Sequence, residues 1–96
     1  MTPEQQQLTE LIAEAEIGEQ ARKFMEGELG RTLLGMAQQD IDAAQEALET
    51  VDPDDKAAIT KLQNKAALGR MFAGYLTELF NRGDQALGVF LHESQN

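Results

Sequence analysis

Two stretches of this chain carry apolar residues in a three-four rhythm, separated by a short acidic connection containing proline. Leu33, Ala37, Ile41, Ala44, Leu48 and Val51 step by 4, 4, 3, 4 and 3. Ile59, Leu62, Ala66, Gly69, Ala73, Leu76 and Phe80 step by 3, 4, 3, 4, 3 and 4. A rhythm of this kind keeps one stripe of a helix facing a neighbouring helix along its whole length. The tight link at Val51-Asp52-Pro53 predicts that the two helices fold back as an antiparallel hairpin. The fold class expected is therefore all-α.

Start and stop signals set the boundaries. Thr2 is a cap residue, Pro3 suits the first helical position, and Gln5 stands where the reciprocal partner of a capping box belongs. Leu8, Leu11, Ile12, Ala15, Ile17, Ala21, Phe24 and Met25 continue that first helix at helical spacing. Gly18 weakens its middle by about 1 kcal/mol relative to Ala, and Gly27-Glu28-Leu29-Gly30 predicts a corner. The second helix is expected from Leu29 to Val51. Asp52 as cap, Pro53 at the first position and Asp54 and Asp55 on the positive end of the helix dipole start the third. Asn81-Arg82-Gly83 predicts its end, with Gly83 as a left-handed cap. That helix of roughly 28 residues is about 42 Å long at 1.5 Å per residue. A short fourth helix then starts at Asp84 and carries Ala86, Leu87, Val89, Phe90 and Leu91. The expectation is one domain over residues 1–96: a hairpin of helices two and three, flanked by an N-terminal helix and a short C-terminal one.

Charge and composition narrow the function. The net charge of −9 opposes binding to phosphate backbones, so no direct nucleic-acid partner is expected. Residues 1–55 hold fourteen acids and three bases, a net −11, and residues 56–96 hold five bases and three acids, a net +2. Lys56, Lys61 and Lys65 are expected to run beside Asp42, Glu46 and Glu49, with each surface pair contributing only about 0–1 kcal/mol. Cysteine is absent, which removes disulfides and thiolate metal sites. No basic start followed by an apolar block opens the chain, and no apolar run approaches the roughly 20 residues of a membrane span. A chain soluble where it is made, with no membrane partner, is expected.

Chemistry finds few footholds. His92 is the one histidine and belongs to a polar tail. Asp52-Pro53-Asp54-Asp55 lacks the register of a calcium loop and reads as helix capping. Glu10 and Glu14 stand four apart, as do Asp42 and Glu46, but the Glu-x-x-His motifs of carboxylate-bridged metal bundles are missing. Gly27-Glu28-Leu29-Gly30 lacks the ending of a phosphate loop. Tryptophan is absent and aromatics make up 5% of the residues, too few for a base-stacking platform. Neither enzymatic activity nor a cofactor is expected.

Three pieces of the chain together resemble a group of short acidic proteins encoded by tailed bacteriophages. They are Ala21-Arg22-Lys23-Phe24-Met25 followed by Leu29-Gly30-Arg31-Thr32-Leu33-Leu34, then Val51-Asp52-Pro53-Asp54-Asp55, then Ile59-Thr60-Lys61-Leu62-Gln63-Asn64. The resemblance spans roughly residues 20–87, including Arg82-Gly83-Asp84-Gln85-Ala86. The chain departs from the group's pattern at Thr32, where an aromatic is usual, and at Tyr75, near which a tryptophan is usual. The resemblance implies a viral protein made in the cytoplasm of a bacterial host and available for incorporation in the virion. It supplies no catalytic residues.

Function then rests on protein-protein interaction. Phe72, Tyr75, Leu79 and Phe90 are many large apolar groups for so thin a domain, and predict a surface buried by self-association or by a partner. An oligomeric component of virion assembly is one expectation. The other is an inhibitor of a host or anti-phage defence protein, docking Glu10, Glu14, Asp42, Glu46 and Glu49 on a basic site.

Overall fold

The computed structural model describes residues 2–94 and is all-helical. Three helices follow one another: α1 over Pro3–Glu26, α2 over Glu28–Thr50 and α3 over Lys56–Ser94. Helix α1 opens on the capping box, with the Gln5 N–H donating to Thr2 Oγ1 at 3.1 Å and the Thr2 N–H donating to Gln5 Oε1 at 3.0 Å. A single extended residue, Gly27, separates α1 from α2. Gly30 lies inside the first turn of α2 and is buried against the last turn of α1. A Cβ at that position would sit 1.5 Å from the Phe24 carbonyl oxygen, so the corner needs glycine there.

Two boundaries differ from the sequence expectation. The third helix begins at Lys56 and not at Pro53. Asp52 closes a turn instead, accepting from the Asp54 N–H at 2.9 Å, and Asp55 takes the capping role by accepting from the Ala58 N–H at 3.1 Å. The larger correction is at Gly83. The chain does not stop there, and no separate C-terminal helix starts at Asp84. Helix α3 runs through Asn81-Arg82-Gly83-Asp84 without a break, and among the described residues no glycine has a positive φ. Gly83 serves close packing. A Cβ on it would meet the Gly18 Cα at 2.6 Å, and a Cβ on Gly18 would meet the Gly83 Cα at 2.7 Å. Contact with α1 thus outweighs the roughly 1 kcal/mol that a mid-helix glycine costs.

Helix α1 packs against α3 more heavily than against any other element, α2 packs against α3 next, and α1 touches α2 least. Glu14 and Gly18 of α1 lie against Leu79 and Gly83 of α3. Ala37 and Ile41 of α2 lie against Gly69, and Asp40 reaches Lys65 at 4.0 Å. The N-terminal helix therefore packs mainly along α3. It takes the second half of α3 while α2 takes the first. The result is a rod of 62 × 29 × 19 Å with a radius of gyration of 19.3 Å. A compact chain of this length has a radius of gyration of about 12.5 Å.

Apart from Ile41, the buried seam of this rod is made of small residues. Ala21, Ile41, Ala44, Ala66 and Ala86 form the buried apolar core, joined by Gly18, Gly30, Gly69 and Gly83. Lys65 pairs with Asp40, while Arg22 pairs with Glu19 and Glu26, and Arg82 with Glu78, within their own helices.

The seam distinguishes its glycines from the others. Gly83→Val should destabilise the chain by about 1–3 kcal/mol through overpacking against Gly18. Gly74 has open space around a Cβ, so Gly74→Ala should stabilise by about 0.5–1 kcal/mol. Urea unfolding of the two variants checks the pair, and similar small effects at both positions would contradict the Gly18–Gly83 contact.

Candidate functional site

A rod two helices thick cannot hide its large side chains. Leu68, Phe72, Tyr75 and Leu79 step by 4, 3 and 4 along α3 and so share one face of it. Leu68 and Tyr75 are 66% and 58% exposed, Leu79 is exposed and Phe72 half-buried. The stripe is flanked on both halves of the rod. Toward α2 it opens on a groove of about 340 Å³ lined by Leu33, Met36, Asp40, Lys65, Leu68 and Phe72. Toward α1 it opens on one of about 230 Å³ lined by Ala13, Glu14, Ile17, Leu79 and Arg82. Together these residues make one apolar face along the middle of the molecule.

Three of the four apolar residues singled out in the sequence, Phe72, Tyr75 and Leu79, belong to this face. Phe90 does not. It lines a different groove near the end of α3, with Ile12, Ala15, Glu16, Glu19 and Leu87. The sequence reading missed Leu68, Met36 and Ile17. Leu68 was within reach, because it continues the stripe one helical turn before Phe72. Met36 and Ile17 join only through the packing of α1 and α2 on α3, which their own helices do not encode.

The acidic residues fall in two groups. Asp42, Glu46 and Glu49 step by 4 and 3 along one face of α2, and Glu10 and Glu14 sit four apart on α1; all five are exposed. Gln38 donates to Asp42 at 2.9 Å. The lysines take a different side from the one expected. Lys56, Lys61 and Lys65 line a shallow hollow with Thr60, Asn64 and Leu68, and Lys65 reaches Asp40 rather than Asp42, Glu46 or Glu49.

No group of three or more histidine, aspartate or glutamate side chains among the described residues is arranged to hold a metal ion. None of the described polar or charged residues is buried. No described helix is long and apolar enough to cross a membrane. No family model, curated protein or solved structure matches the chain.

The tightest polar cluster is on α1. The Arg22 guanidinium donates to Glu19 through two nitrogens and to Glu26 at 2.7 Å. The hydrogen bonds from Arg22 hold the Glu19 carboxyl below its ordinary pKa, and the two carboxylates raise that of Arg22. A lowered carboxyl pKa gives stability that is complete above the ordinary carboxylate range and is lost as pH falls through the lowered value. An NMR titration of the Glu19 carboxyl should show that lowered midpoint, and Arg22→Ala should return it to the ordinary range. An unchanged titration in Arg22→Ala would remove Arg22 as the cause.

Proposed function

We propose that this chain is a non-enzymatic protein acting through protein-protein contacts, as a small structural or assembly component of a tailed-bacteriophage particle. The observation that carries the first part is the apolar face centred on Phe72 and Tyr75. Apolar surface of this extent beside a seam of alanine and glycine marks an interaction site. The phage setting rests on the resemblance of residues 20–87 to short acidic phage proteins, and with it the bacterial cytoplasm as the place of synthesis.

The order of contacts supports a rigid part. Going up α3 from Lys65 through Gly69 to Gly83, the partners go down the chain from Asp40 and Ala37 to Gly18 and Glu14. We read that order as two arms running in opposite directions, one made of α1 and α2 end to end and the other of α3. Such a rod suits repeated packing in a shell or ring.

A second reading, an acidic inhibitor of a host or defence protein, draws on the exposed row Asp42, Glu46 and Glu49. Glu10 and Glu14 belong to another helix and would have to engage the partner separately. The first reading is preferred because all three helices contribute apolar residues to that face.

Mass spectrometry of purified particles and of assembly intermediates tests the proposal. The chain should be recovered from one of them in fixed ratio to a particle protein. Its absence from both, with capture of a basic host protein at low salt that high salt releases, would favour the inhibitor instead.

A further inference from the structure

We propose that the face formed by Leu68, Phe72, Tyr75 and Leu79 is covered by the same face of a second copy of this chain. The two rods run antiparallel about a two-fold axis between Phe72 and Tyr75. This identifies one partner of the interaction surface and rests on that reading of it.

The first support is area. A folded monomer of 10.6 kDa exposes about 5,500 Å². This chain exposes 7240 Å², a surplus of roughly 1,700 Å². A standard interface takes about 800 Å² from each partner, and obligate homodimers take about 1,000–2,500 Å² from each. The surplus falls in the homodimer range. Part of it has the right chemistry, since Met36, Leu68, Tyr75, Leu79 and Ile17 contribute exposed apolar side chains to one side of the rod.

The second support is shape. The rod is 19 Å through its thinnest direction, and one helix with its side chains is about 10–12 Å across. Pairing two rods face to face gives a cross-section of four helices. That arrangement encloses the large side chains that a two-helix layer leaves outside. The 4, 3, 4 spacing of the stripe is the spacing a helix uses to interlock with another helix.

The third support is charge. Lys56, Lys61 and Lys65 stand with Leu68 at one end of the stripe; Lys65 reaches its own Asp40 at 4.0 Å, so the positive charge there comes from Lys56 and Lys61. Glu14 stands beside Ile17 and Leu79 at the other, with Glu10 four residues earlier on α1. Arg82 at that end is held by its own Glu78 at 2.6 Å. A two-fold axis through the middle of the stripe lays the lysine end of each copy on the glutamate end of the other, and does so twice. A parallel pairing would bring lysines to lysines. Rim charges of this kind fix register and orientation more than they add affinity.

Sedimentation equilibrium of the full chain over micromolar to millimolar concentrations is the test. The expected species has twice the 10.6 kDa chain mass. Leu68→Lys and Tyr75→Lys change exposed positions, so helix content by circular dichroism should hold; dimer affinity should fall about 30-fold or more for Tyr75→Lys, beside the axis, and by about 5-fold or more for Leu68→Lys, at the end of the stripe. Ile12→Lys, in the groove that holds Phe90, should leave the dimer intact. Lys56→Glu with Lys61→Glu should weaken the dimer, and adding Glu14→Lys should restore it. A strict monomer at every concentration overturns the proposal. So does a dimer indifferent to both Leu68→Lys and Tyr75→Lys. Charge reversal that Glu14→Lys fails to rescue overturns the antiparallel axis. A monomer recovered from phage particles would sink the dimer while leaving the assembly reading in place. A dimer absent from particles would do the reverse.

Discussion

Close contact between helix backbones at glycine and alanine sets the rest of this molecule. Gly18 meets Gly83, Gly69 meets Ala37 and Ile41, and Gly30 meets the Phe24 carbonyl, each at a distance that leaves no room for a larger residue. Ala44, with 1% of its surface exposed, and Ala66, with 2%, fill what remains of the seam. Close approach gives good packing but removes little apolar area per residue, and each buried methylene contributes only about 0.8 kcal/mol. Ordering one residue's backbone costs about 1–2 kcal/mol. A seam of alanines therefore leaves a narrow margin, and the groups that could widen it, Leu68, Met36 and Tyr75 among them, are outside it.

That arrangement leaves large apolar side chains, Leu68, Met36 and Tyr75 among them, on the outside of the rod. An ordinary globular domain encloses its leucines and aromatics and shows charge. Here the enclosure is incomplete within one chain, and a long α3 of about 58 Å displays its second apolar face along the middle of the rod. Surface ion pairs contribute little to holding this together, since exposed pairs are generally worth about 0–1 kcal/mol. The lysine hollow at the start of α3 and the glutamates of α1 mark the two ends of the face with opposite charge.

Much of the local structure was legible in the residues. The capping box of Thr2 and Gln5 announced the start of α1, and the three-four rhythms announced α2 and most of α3. What failed was the reading of glycine. Gly83 beside Asn81 and Arg82 has every mark of a helix stop, yet it is a contact residue. Only the position of Gly18 on another helix reveals that. Asp52 and Pro53 likewise carry a valid start signal that Asp55 overrides three residues later, because the turn through Asp54 uses the intervening backbone. The face itself was half visible. Phe72, Tyr75 and Leu79 follow from spacing along one helix, whereas Ile17 and Met36 join them only after α1 and α2 have docked in line along α3. Phe90 looked equivalent by composition and lies in another groove. Tertiary placement of α1 was the step that no local pattern encoded.

The dependence of stability on protein concentration tests the central claim most directly. A rod whose outer face is completed by its own copy gains stability with every increase in chain concentration, by about 1.4 kcal/mol per tenfold rise for a dimer unfolding to separate chains. The thermal unfolding midpoint should climb steadily as the chain is concentrated. A midpoint that stays fixed across that range would show that α1, α2 and α3 suffice alone, and that the face along α3 awaits no second copy.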